Sequence, residues 1–573
     1  MKVQRLAPLL VVAAGLLVYQ NSFTSPFIYD DAQSILENPT IRQLWPIWMP
    51  LSPPHQRGLT VEGRPLINLS LAINYALGGF NVWGYHALNL TVHILAGLAL
   101  LGIVRRTLRQ PRLRERFGAA ADGVGLAAAI LWTVHPLQTE SVTYIVQRAE
   151  SIMGLFYLLT LYGFIRGADA GTTRPLWYSL AVTTCACGMA SKEVMVSAPL
   201  MVLLYDRAFL SATFREALRR RWPLYLGLAA TWIILGCLLP VNFGNTLTNA
   251  ERHRVAWWMY LTTEPSVILH YLRLSVWPHP LCFDYDGWPL PGIGRGILLP
   301  GLAVVALIAA TAWAWKSNSP WGFLGAWFFL ILAPSSSVIP LDSAAYEHRM
   351  YLPLAAVIVA VAAGGYAFAS RRWRTPPQAW KLKGWAASLA LIVPLSMLTI
   401  QRNRNYRSAL AIWQDTAHKR PYNYRAHFNL AAALERAGEI HEALGHYQQA
   451  IVFDPDFAEA HYNLAVLLAR LGRVTEAIPQ YEQAVRLQPD FVEAHCNLGT
   501  ALDQLGRPQE AIDQYEQALR LMPNSAELQY NLGAALEEVG RVPDAVAHYE
   551  LALRIKPDFP EARQRLAHLR TVP

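Results

Sequence analysis

Apolar runs close to the length of a membrane-spanning helix recur along most of this sequence. A helix needs about 20 largely apolar residues to cross the hydrocarbon core, and fewer when flanking groups adapt. Eleven segments meet this condition, near residues 6–20, 85–104, 119–134, 149–166, 175–190, 193–209, 223–240, 297–315, 320–334, 351–369 and 385–400. Of the 573 residues, 53% are hydrophobic and only 16% are charged. This composition excludes a disordered chain and predicts a multi-pass membrane protein.

Basic loops between these runs predict the orientation. Residues 105–116 contain six arginines, residues 215–221 contain four, and residues 371–383 contain five lysines and arginines. The positive-inside rule places these loops and the N-terminus in the cytoplasm. The segments expected outside the membrane are 21–84, 135–148, 241–296 and 335–350, followed by the C-terminal region. Arg402, Arg404 and Arg407 lie on the wrong side in this arrangement.

The first run resembles a secretory signal, because Lys2 and Arg5 precede it. No small-residue cleavage site follows at residues 19–23, so we interpret the run as a retained anchor. In a bacterium the protein would lie in the cytoplasmic membrane.

The net charge of +9 conceals two oppositely charged parts. Residues 1–420 carry 36 Lys and Arg against 19 Asp and Glu, whereas residues 421–573 carry 13 against 21. The basic residues lie between apolar runs, which is typical of membrane proteins and does not indicate nucleic-acid binding. The five cysteines are too scattered for a disulfide framework.

A 34-residue period begins where the charge changes sign. Prolines recur at 421, 455, 489, 523 and 557, and glycine, alanine and tyrosine recur with the same spacing. This period is typical of tetratricopeptide repeats (TPRs), pairs of helices that stack into a solenoid. Ala409 and Trp413 continue the pattern backwards and predict a half-repeat. We therefore predict an all-α protein with a transmembrane domain at 1–404. A solenoid at 405–573 would contain the half-repeat, four repeats and a C-terminal capping helix.

Polar side chains recur on the first helix of each repeat, which is expected to line the concave groove. Such a row could bind the backbone of an extended peptide, and it resembles the asparagine ladder of the nucleocytoplasmic O-linked N-acetylglucosamine transferase. Hydrogen bonding between helices explains the asparagines equally well. The candidate peptide-binding residues are Asn429, Asn463, Asn497, Asn531, Tyr462 and Tyr530.

Two adjacent carboxylates, Asp30 and Asp31, lie about ten residues after the first run. Carboxylates in an apolar, aromatic loop outside the bilayer are candidates for a general base, although a helix cap or a solvated turn is also consistent with them. Residues 67–79 then form an apolar segment too short to span, which predicts an interfacial helix.

Further ionisable residues cluster beside the predicted outer ends of the helices. His135 and Glu140 have poor spacing for metal ligands, so a capping or interhelical role is favoured. Lys192 and Glu193 fall between two apolar runs, where charged side chains are costly. His348 and its neighbours directly precede a run, where cations could meet a lipid phosphate or anchor the membrane surface. We predict no metal site and leave a divalent-cation requirement open.

These motifs occur in an order that resembles the transmembrane and TPR O-mannosyltransferase family, which belongs to the C-type glycosyltransferases. They are Tyr29-Asp30-Asp31 with Asn38-Pro39, Arg64-Pro65-Leu66 with Asn74-Tyr75, Tyr85 to His93, His135-Pro136 through Glu140 to Arg148-Ala149-Glu150, Ser191-Lys192-Glu193 with Tyr205-Asp206, and Glu347-His348-Arg349 before Tyr351-Leu352-Pro353. Each motif is weak alone, and their order together with the repeats is specific.

The resemblance implies inverting transfer of one sugar, mannose in this family, from a polyprenyl phosphate to Ser or Thr of an acceptor protein outside the cytoplasm. The family's catalytic acids correspond to Asp30 and Asp31. Arginine and lysine suit the departing phosphate. The candidate donor-phosphate residues are Arg349, His348, Arg148, Lys192 and Arg64, and the other outer-face candidates are His135, Glu140, Glu150 and Glu193.

Two other functions are consistent with parts of the sequence. One is a membrane-tethered TPR scaffold for envelope or secretion partners, although a single span would serve that purpose. The other is an O-oligosaccharyltransferase or ligase, which would be expected to place its chemistry in a large late outer loop. The late outer segment here, residues 335–350, is short.

Overall fold

The structure is a computed structural model of the full chain. It describes residues 2–54, 59–252, 257–286, 288, 295–336, 343–372 and 377–571. Across these ranges the chain is helical and contains no strand, which confirms the all-α prediction. Parts of the segments 241–296, 335–350 and 371–383 lie outside the described residues.

Eighteen α-helices precede the repeats in the described part of the chain. They are α1 (Lys2–Tyr19), α2 (Trp48–Leu51), α3 (Pro65–Gly78), α4 (Val82–Leu108), α5 (Pro111–Phe117), α6 (Ala121–Thr133), α7 (Thr139–Thr143), α8 (Arg148–Asp169), α9 (Arg174–Met189), α10 (Ala198–Phe209), α11 (Phe214–Arg220), α12 (Trp222–Arg252), α13 (Trp257–Val276), α14 (Arg295–Lys316), α15 (Pro320–Leu332), α16 (Pro353–Arg372), α17 (Pro377–Asn405) and α18 (Ala409–Lys419).

Each of the eleven apolar runs lies on a helix, but the expected number of spans is not confirmed. In the described residues, five helices are long and apolar enough to cross a membrane, or up to seven if each of two bent pairs is one span. The structure also contains α13, which the sequence analysis missed because Glu264, Pro265 and Arg273 interrupt its apolar pattern. Much of the segment 241–276, expected to be an outer loop, is therefore helical.

Helix α4 runs through the core and packs against α6 and α8. Glycines at the helix contacts allow a close approach, because a side chain there would clash with the neighbouring element. A Cβ atom on Gly97 would lie 2.6 Å from Thr133 Oγ1, and one on Gly154 would lie 2.4 Å from the ring of Tyr351. The second contact fixes the turn Glu347–Met350, which directly precedes Tyr351, against α8.

The segment 21–84, which was expected to lie outside the membrane, contains α3 at the position predicted for an interfacial helix. One face of α3 is exposed and apolar, with Leu77 82% exposed. The opposite face buries Asn68, whose amide donates to Thr40 Oγ1 and to the Pro50 carbonyl, both at 2.8 Å. Asn68 Oδ1 also accepts from Asn38 at 2.8 Å. Buried amides therefore fold this segment into a defined scaffold.

The repeat helices follow as regular pairs. They are α19 (Tyr424–Ala437), α20 (Ile440–Phe453), α21 (Ala458–Arg470), α22 (Val474–Leu487), α23 (Val492–Gln504), α24 (Pro508–Leu521), α25 (Ala526–Glu538), α26 (Val542–Ile555) and α27 (Pro560–Thr571). The repeated glycines 438, 472, 506 and 540 have φ between +69° and +85°, which explains glycine at the turn between paired helices.

Contacts divide the chain into two compact units, Met1–Lys419 and Arg420–Pro573. Helix α18, the proposed half-repeat, lies in the first unit, where Asp415 pairs with Arg402 at 2.9 Å. Lys419 Nζ donates to the Leu281 carbonyl at 2.7 Å. The predicted domain boundary at 404/405 remains a prediction.

Candidate active site

The two adjacent carboxylates occupy different environments. Asp31 is fully buried, and it accepts hydrogen bonds from the backbone N–H of Ile28 at 3.0 Å and of Val146 at 2.8 Å. Burial raises the pKa of Asp31 to about 8, despite the opposing effect of these two donors. Asp30 is half-buried. Asp31 thus links the loop to the start of α8, while Asp30 is the more accessible carboxylate.

The backbone at Asp30 is held in place by aromatic side chains. Tyr29 has a φ of 46°, in the left-handed region that non-glycine residues rarely adopt. Its ring packs edge-on against Trp413 at 5.2 Å and Phe283 at 6.2 Å, and these contacts stabilise the strained conformation. The backbone N–H of Asp30 donates to Tyr144 Oη at 2.9 Å. The position of Asp30 is therefore fixed from several sides.

Thr60 connects Asp30 to a cation. Its hydroxyl donates to Asp30 Oδ2 at 3.3 Å, and its carbonyl accepts from Arg64 Nη1 at 2.8 Å. Arg64 also pairs with Glu193 at 3.3 Å. Arg64 Nε is buried and has no hydrogen-bond partner among the described residues. The base candidate and an arginine with an unused donor therefore lie on either side of one threonine.

A second cation lies deeper in the same cluster. Lys192 Nζ contacts Glu150 Oε2 at 2.5 Å, and the two side chains are 10% and 4% exposed. Glu193, the partner of Arg64, directly follows Lys192 in the chain, so these three residues lie close together. Three segments far apart in sequence, around residues 64, 150 and 192, thus meet at one polar cluster. Within the described residues, this cluster contains no group of three His, Cys, Asp or Glu side chains arranged to hold a metal ion.

His348 borders this cluster as a neutral side chain. Its Nδ1 lies 2.7 Å from Glu140 Oε1, and its backbone N–H donates to Glu140 Oε2 at 2.9 Å. Burial, with a further contribution from the charge of Lys192, lowers the pKa of His348 well below its ordinary value. Glu140 therefore holds His348 by side chain and backbone, and the imidazole does not add a positive charge to the site.

The structure directs three other candidate residues toward protein partners. Arg148 is fully buried, and donates to Asn74 Oδ1 at 2.6 Å and to the Tyr85 carbonyl at 3.1 Å. His135 Nε2 lies 3.2 Å from the Ser275 carbonyl, and its Nδ1 accepts from Leu137 N–H, as expected for a capping histidine.

Arg349 is the third of these residues. It donates to the carbonyls of Ala344 at 2.7 Å and Ser343 at 2.9 Å, and its guanidinium lies over the Tyr346 ring. These contacts fold the segment before α16 around a buried arginine. The contacts of Arg349 and Arg148 are therefore with protein groups, and both arginines stabilise the fold around the cluster.

Arg402, which contradicted the positive-inside assignment, is a buried structural cation. It pairs with Asp415 at 2.9 Å and lies 3.8 Å from Glu347 Oε2. Glu347 Oε1 accepts from Cys282 N–H at 2.5 Å and from Tyr285 Oη at 2.8 Å. A buried arginine with carboxylate partners does not report on membrane orientation, so Arg402 no longer counts against the assignment.

Thr60 and Tyr144 were not among the residues predicted from the sequence. Both contact Asp30 through single hydrogen bonds, and neither stands in a spacing pattern that would mark it. Only the fold brings them to the loop, since Tyr144 is more than one hundred residues away in sequence.

The repeated asparagines have contacts within the solenoid. Asn497 Nδ2 donates to Tyr462 Oη of the preceding repeat at 3.0 Å, whereas Asn429 Nδ2 donates to the Arg425 carbonyl of its own helix at 2.8 Å. Asn531 Nδ2 lies 3.9 Å from Cys496 Sγ. Tyr530 packs against Tyr549 and Phe559. These contacts favour an interhelical role for the Asn497 amide group.

Family models match the repeat region. A TPR repeat model matches residues 436–472, and two tetratricopeptide repeat models match residues 456–524 and 496–560. The repeats predicted from the 34-residue period are confirmed.

Curated relatives match across both units. The protein O-mannosyl-transferase Tmtc3 of Drosophila melanogaster is 25% identical over 526 residues, covering 78% of this chain and 55% of the relative. The human protein O-mannosyl-transferase TMTC1 is 24% identical, covering 79% and 55%. The predicted family resemblance is confirmed. The chain spans about half the length of these relatives of the transmembrane and TPR O-mannosyltransferase family.

Solved structures also match parts of the chain. A crystal structure of MamA is 23% identical with a TM-score of 0.25, covering 26% of this chain and 81% of that chain. The crystal structure of YrrB, described as a TPR protein with an unusual peptide-binding site, is 20% identical with a TM-score of 0.26, covering 32% and 90%.

Proposed function

We propose that this protein transfers a single mannose from a polyprenyl-phosphate donor to Ser or Thr hydroxyls of acceptor proteins, with inversion at the anomeric carbon. The reaction takes place on the non-cytoplasmic face, where the predicted orientation puts the first outer segment. The observation that carries the proposal is the Thr60 bridge, which holds a carboxylate and an arginine side by side. This pairing suits a reaction that removes a proton at one end and releases a phosphate at the other.

Asp30 is the general base. It is more accessible than Asp31, and Asp31 already accepts two backbone hydrogen bonds. A pKa of about 8 keeps Asp31 largely protonated at neutral pH, where it cannot take up a proton. The strained backbone at Tyr29 and the bond to Tyr144 preorganise Asp30 for this role.

Arg64 and Lys192 bind the donor phosphate. Each donates to carboxylate or carbonyl oxygens, and each has more N–H donors than those contacts use. Arg64 Nε has no hydrogen-bond partner among the described residues, and leaving a buried donor unpaired is costly. A hydrogen bond to the donor phosphate would remove this cost. Arg148, Arg349 and His348 are held by protein partners and act as supporting residues around the donor site.

The chemical step is a single displacement. The acceptor oxygen forms a bond to the anomeric carbon as the bond from that carbon to the phosphate oxygen breaks. The acceptor proton passes to the Asp30 carboxylate late in the step, because an alcohol is too weak an acid to be ionised beforehand. The departing polyprenyl phosphate gains a negative charge, which Arg64 and Lys192 stabilise.

The repeats hold the acceptor segment. The face that carries Asn429, Asn463, Asn497 and Asn531, with Tyr462 and Tyr530 among them, binds an extended backbone and raises its local concentration. Asn497 and Asn429 each use one of their two amide N–H donors within the solenoid, so the second N–H and the amide oxygen are the groups that bind the peptide backbone.

The test compares two carboxylates of the same loop in a transfer assay with full-length protein, polyprenyl-phosphate mannose and an acceptor peptide. We expect Asp30→Asn to lower the rate by about 10² to 10⁴-fold. Glu37→Gln is the matched control, because Glu37 is exposed and its removal costs the loop the same charge. Wild-type activity in folded, inserted Asp30→Asn protein would show that Asp30 is not the base.

A further inference from the structure

A cavity of about 300 Å³ lies at the end of α4 opposite the candidate active site. Its wall begins at Leu100 and includes Thr107, whereas the site end of the helix carries Tyr85, the partner of Arg148. Tyr85 and Thr107 are about 33 Å apart along an α-helix, at about 1.5 Å per residue. That length slightly exceeds the thickness of the hydrocarbon core, about 30 Å, so the cavity belongs to the other side of the bilayer from the site.

The cavity is apolar inside and basic at its mouth. Its wall consists of α4, α10, α15 and α16, with Val104, Phe323, Trp327 and Ala356 among the lining residues. Arg112 and Arg116 of α5 also line it. Volumes of about 300 to 1,000 Å³ are typical of small-ligand pockets.

The two arginines at the mouth differ from the first three arginines of the same basic segment. Arg105 and Arg109 pair with Asp122, and Arg106 pairs with Asp169. Among the described residues, Arg112 and Arg116 form no ion pair. Arg112 donates only to neutral carbonyls, those of Ala208 and Asn318.

The Arg116 guanidinium lies 5.3 Å from the centre of the Phe117 ring. Positive charge without a carboxylate partner is therefore concentrated at the cavity mouth.

We propose that this cavity binds an anionic membrane phospholipid. One acyl chain occupies the apolar interior, and the headgroup phosphate contacts Arg112 and Arg116. Helices α4 and α16, which form two of the cavity walls, each contain a segment long and apolar enough to cross the membrane. An apolar chamber selects a hydrocarbon tail, and two uncompensated cations at its mouth select a negative headgroup over a zwitterionic one. This site is independent of the transfer reaction proposed above.

Native mass spectrometry of the full-length protein tests the proposal. The probes are dioleoylphosphatidylglycerol and dioleoylphosphatidylcholine, which share acyl chains and differ in charge. We expect the wild type to retain the phosphatidylglycerol preferentially, and we expect Arg116→Gln to weaken this retention about fivefold. Arg114→Gln is the matched control, because Arg114 is an exposed arginine on the same helix and is not part of the cavity lining.

A second variant tests the cavity itself. Ala356→Phe fills the chamber without changing any charge, and we expect it to abolish preferential retention while the thermal midpoint without lipid changes little. If Arg114→Gln and Arg116→Gln weakened the retention of phosphatidylglycerol equally, the headgroup assignment would be overturned. Full retention by folded Ala356→Phe would overturn the acyl-chain assignment. Displacement of the phosphatidylglycerol by an equimolar polyprenyl phosphate would also contradict the proposal, because the cavity would then belong to the donor.

Discussion

The polar contacts of the first unit and those of the repeat unit are organised differently. In the candidate active site, Lys192 meets Glu150 across 42 residues of sequence, and Asp30 meets Tyr144 across 114. In the repeats, Arg507 pairs with Glu510 on the next helical turn, and Arg473 with Glu476 in the same way. The first kind of contact exists only after the whole unit has folded. The second forms within one helical turn, and the longer contacts of the repeats, such as Asn497 with Tyr462, join neighbouring repeats. Substitutions should therefore have far-reaching effects in the first unit and local effects in the second.

The largest difference is expected at the Lys192–Glu150 pair. Lys192→Met leaves the Glu150 carboxylate buried without its partner, which should cost about 3 to 5 kcal/mol of folding free energy. Arg507→Met, which breaks an exposed pair in the repeats, should change stability little. Thermal unfolding of the full-length variants in detergent measures both.

The double variant Lys192→Met/Glu150→Gln separates folding from chemistry. Removing both charges should restore most of the thermal stability, because no isolated charge remains buried. Donor binding should stay weak, since the phosphate still lacks one of its cations. A double variant with normal transfer kinetics would remove Lys192 from the donor site.

The next effect is a pH dependence that comes from Asp31. Its pKa rises from an ordinary 3.8 to about 8 in the folded protein. Between these values the unfolded chain loses a proton that the folded chain keeps, so the contribution of Asp31 to stability falls as pH rises from about 4 to about 8. The thermal midpoint of Asp31→Asn, compared with wild type across this range, should lack that slope. Parallel curves would mean that Asp31 ionises normally.

A smaller and local effect is expected at the repeat turns. Gly506 has a φ of +69°, so Gly506→Ala should destabilise its repeat by about 1 kcal/mol. Gly445 lies within helix α20 with open space around it, and Gly445→Ala should stabilise its repeat slightly. Amide hydrogen exchange in the full chain reports both changes. Altered exchange around Thr60 or Lys192 would contradict the local nature of repeat contacts.

The smallest effect distinguishes the two roles of the asparagine row. Asn497→Ala removes a hydrogen bond between repeats and should cost about 1 kcal/mol, whereas Asn429→Ala removes only a bond within its own helix. If the row also binds acceptor backbone, both variants should raise the KM for a long acceptor peptide. A KM change in neither variant would leave these two asparagines a purely structural role.

The sequence predicted the repeat unit well because each repeat shows the same pattern. The glycines 438, 472, 506 and 540 were identified from spacing alone, and all four have the positive φ that a tight turn requires. The apolar runs likewise predicted helices. Helix α13 was not predicted, because Glu264 and Pro265 lie in its middle. The packing around the helix compensates for this unfavourable local sequence.

The candidate site was only partly predictable. The sequence singled out Arg64, Lys192 and Glu193, and the structure brings them together. From the sequence, Asp30 was the favoured base and Asp31 the alternative, but no physical reason separated them, because their difference depends on burial by distant segments. Thr60 carried no signal at all. Motif residues can be found in a sequence from their residue type and their order along the chain. Only the three-dimensional structure shows which of them are accessible and which are buried.

The most direct measurement is transfer by the intact protein in lipid vesicles, with acceptor products identified by mass spectrometry and the new linkage by NMR. Given polyprenyl-phosphate mannose, we expect one hexose on Ser or Thr, with an anomeric configuration opposite to that of the donor. Given free nucleotide-linked mannose instead, we expect no product. Transfer from the nucleotide sugar, or retention of configuration, would contradict the proposed donor and the single-displacement mechanism.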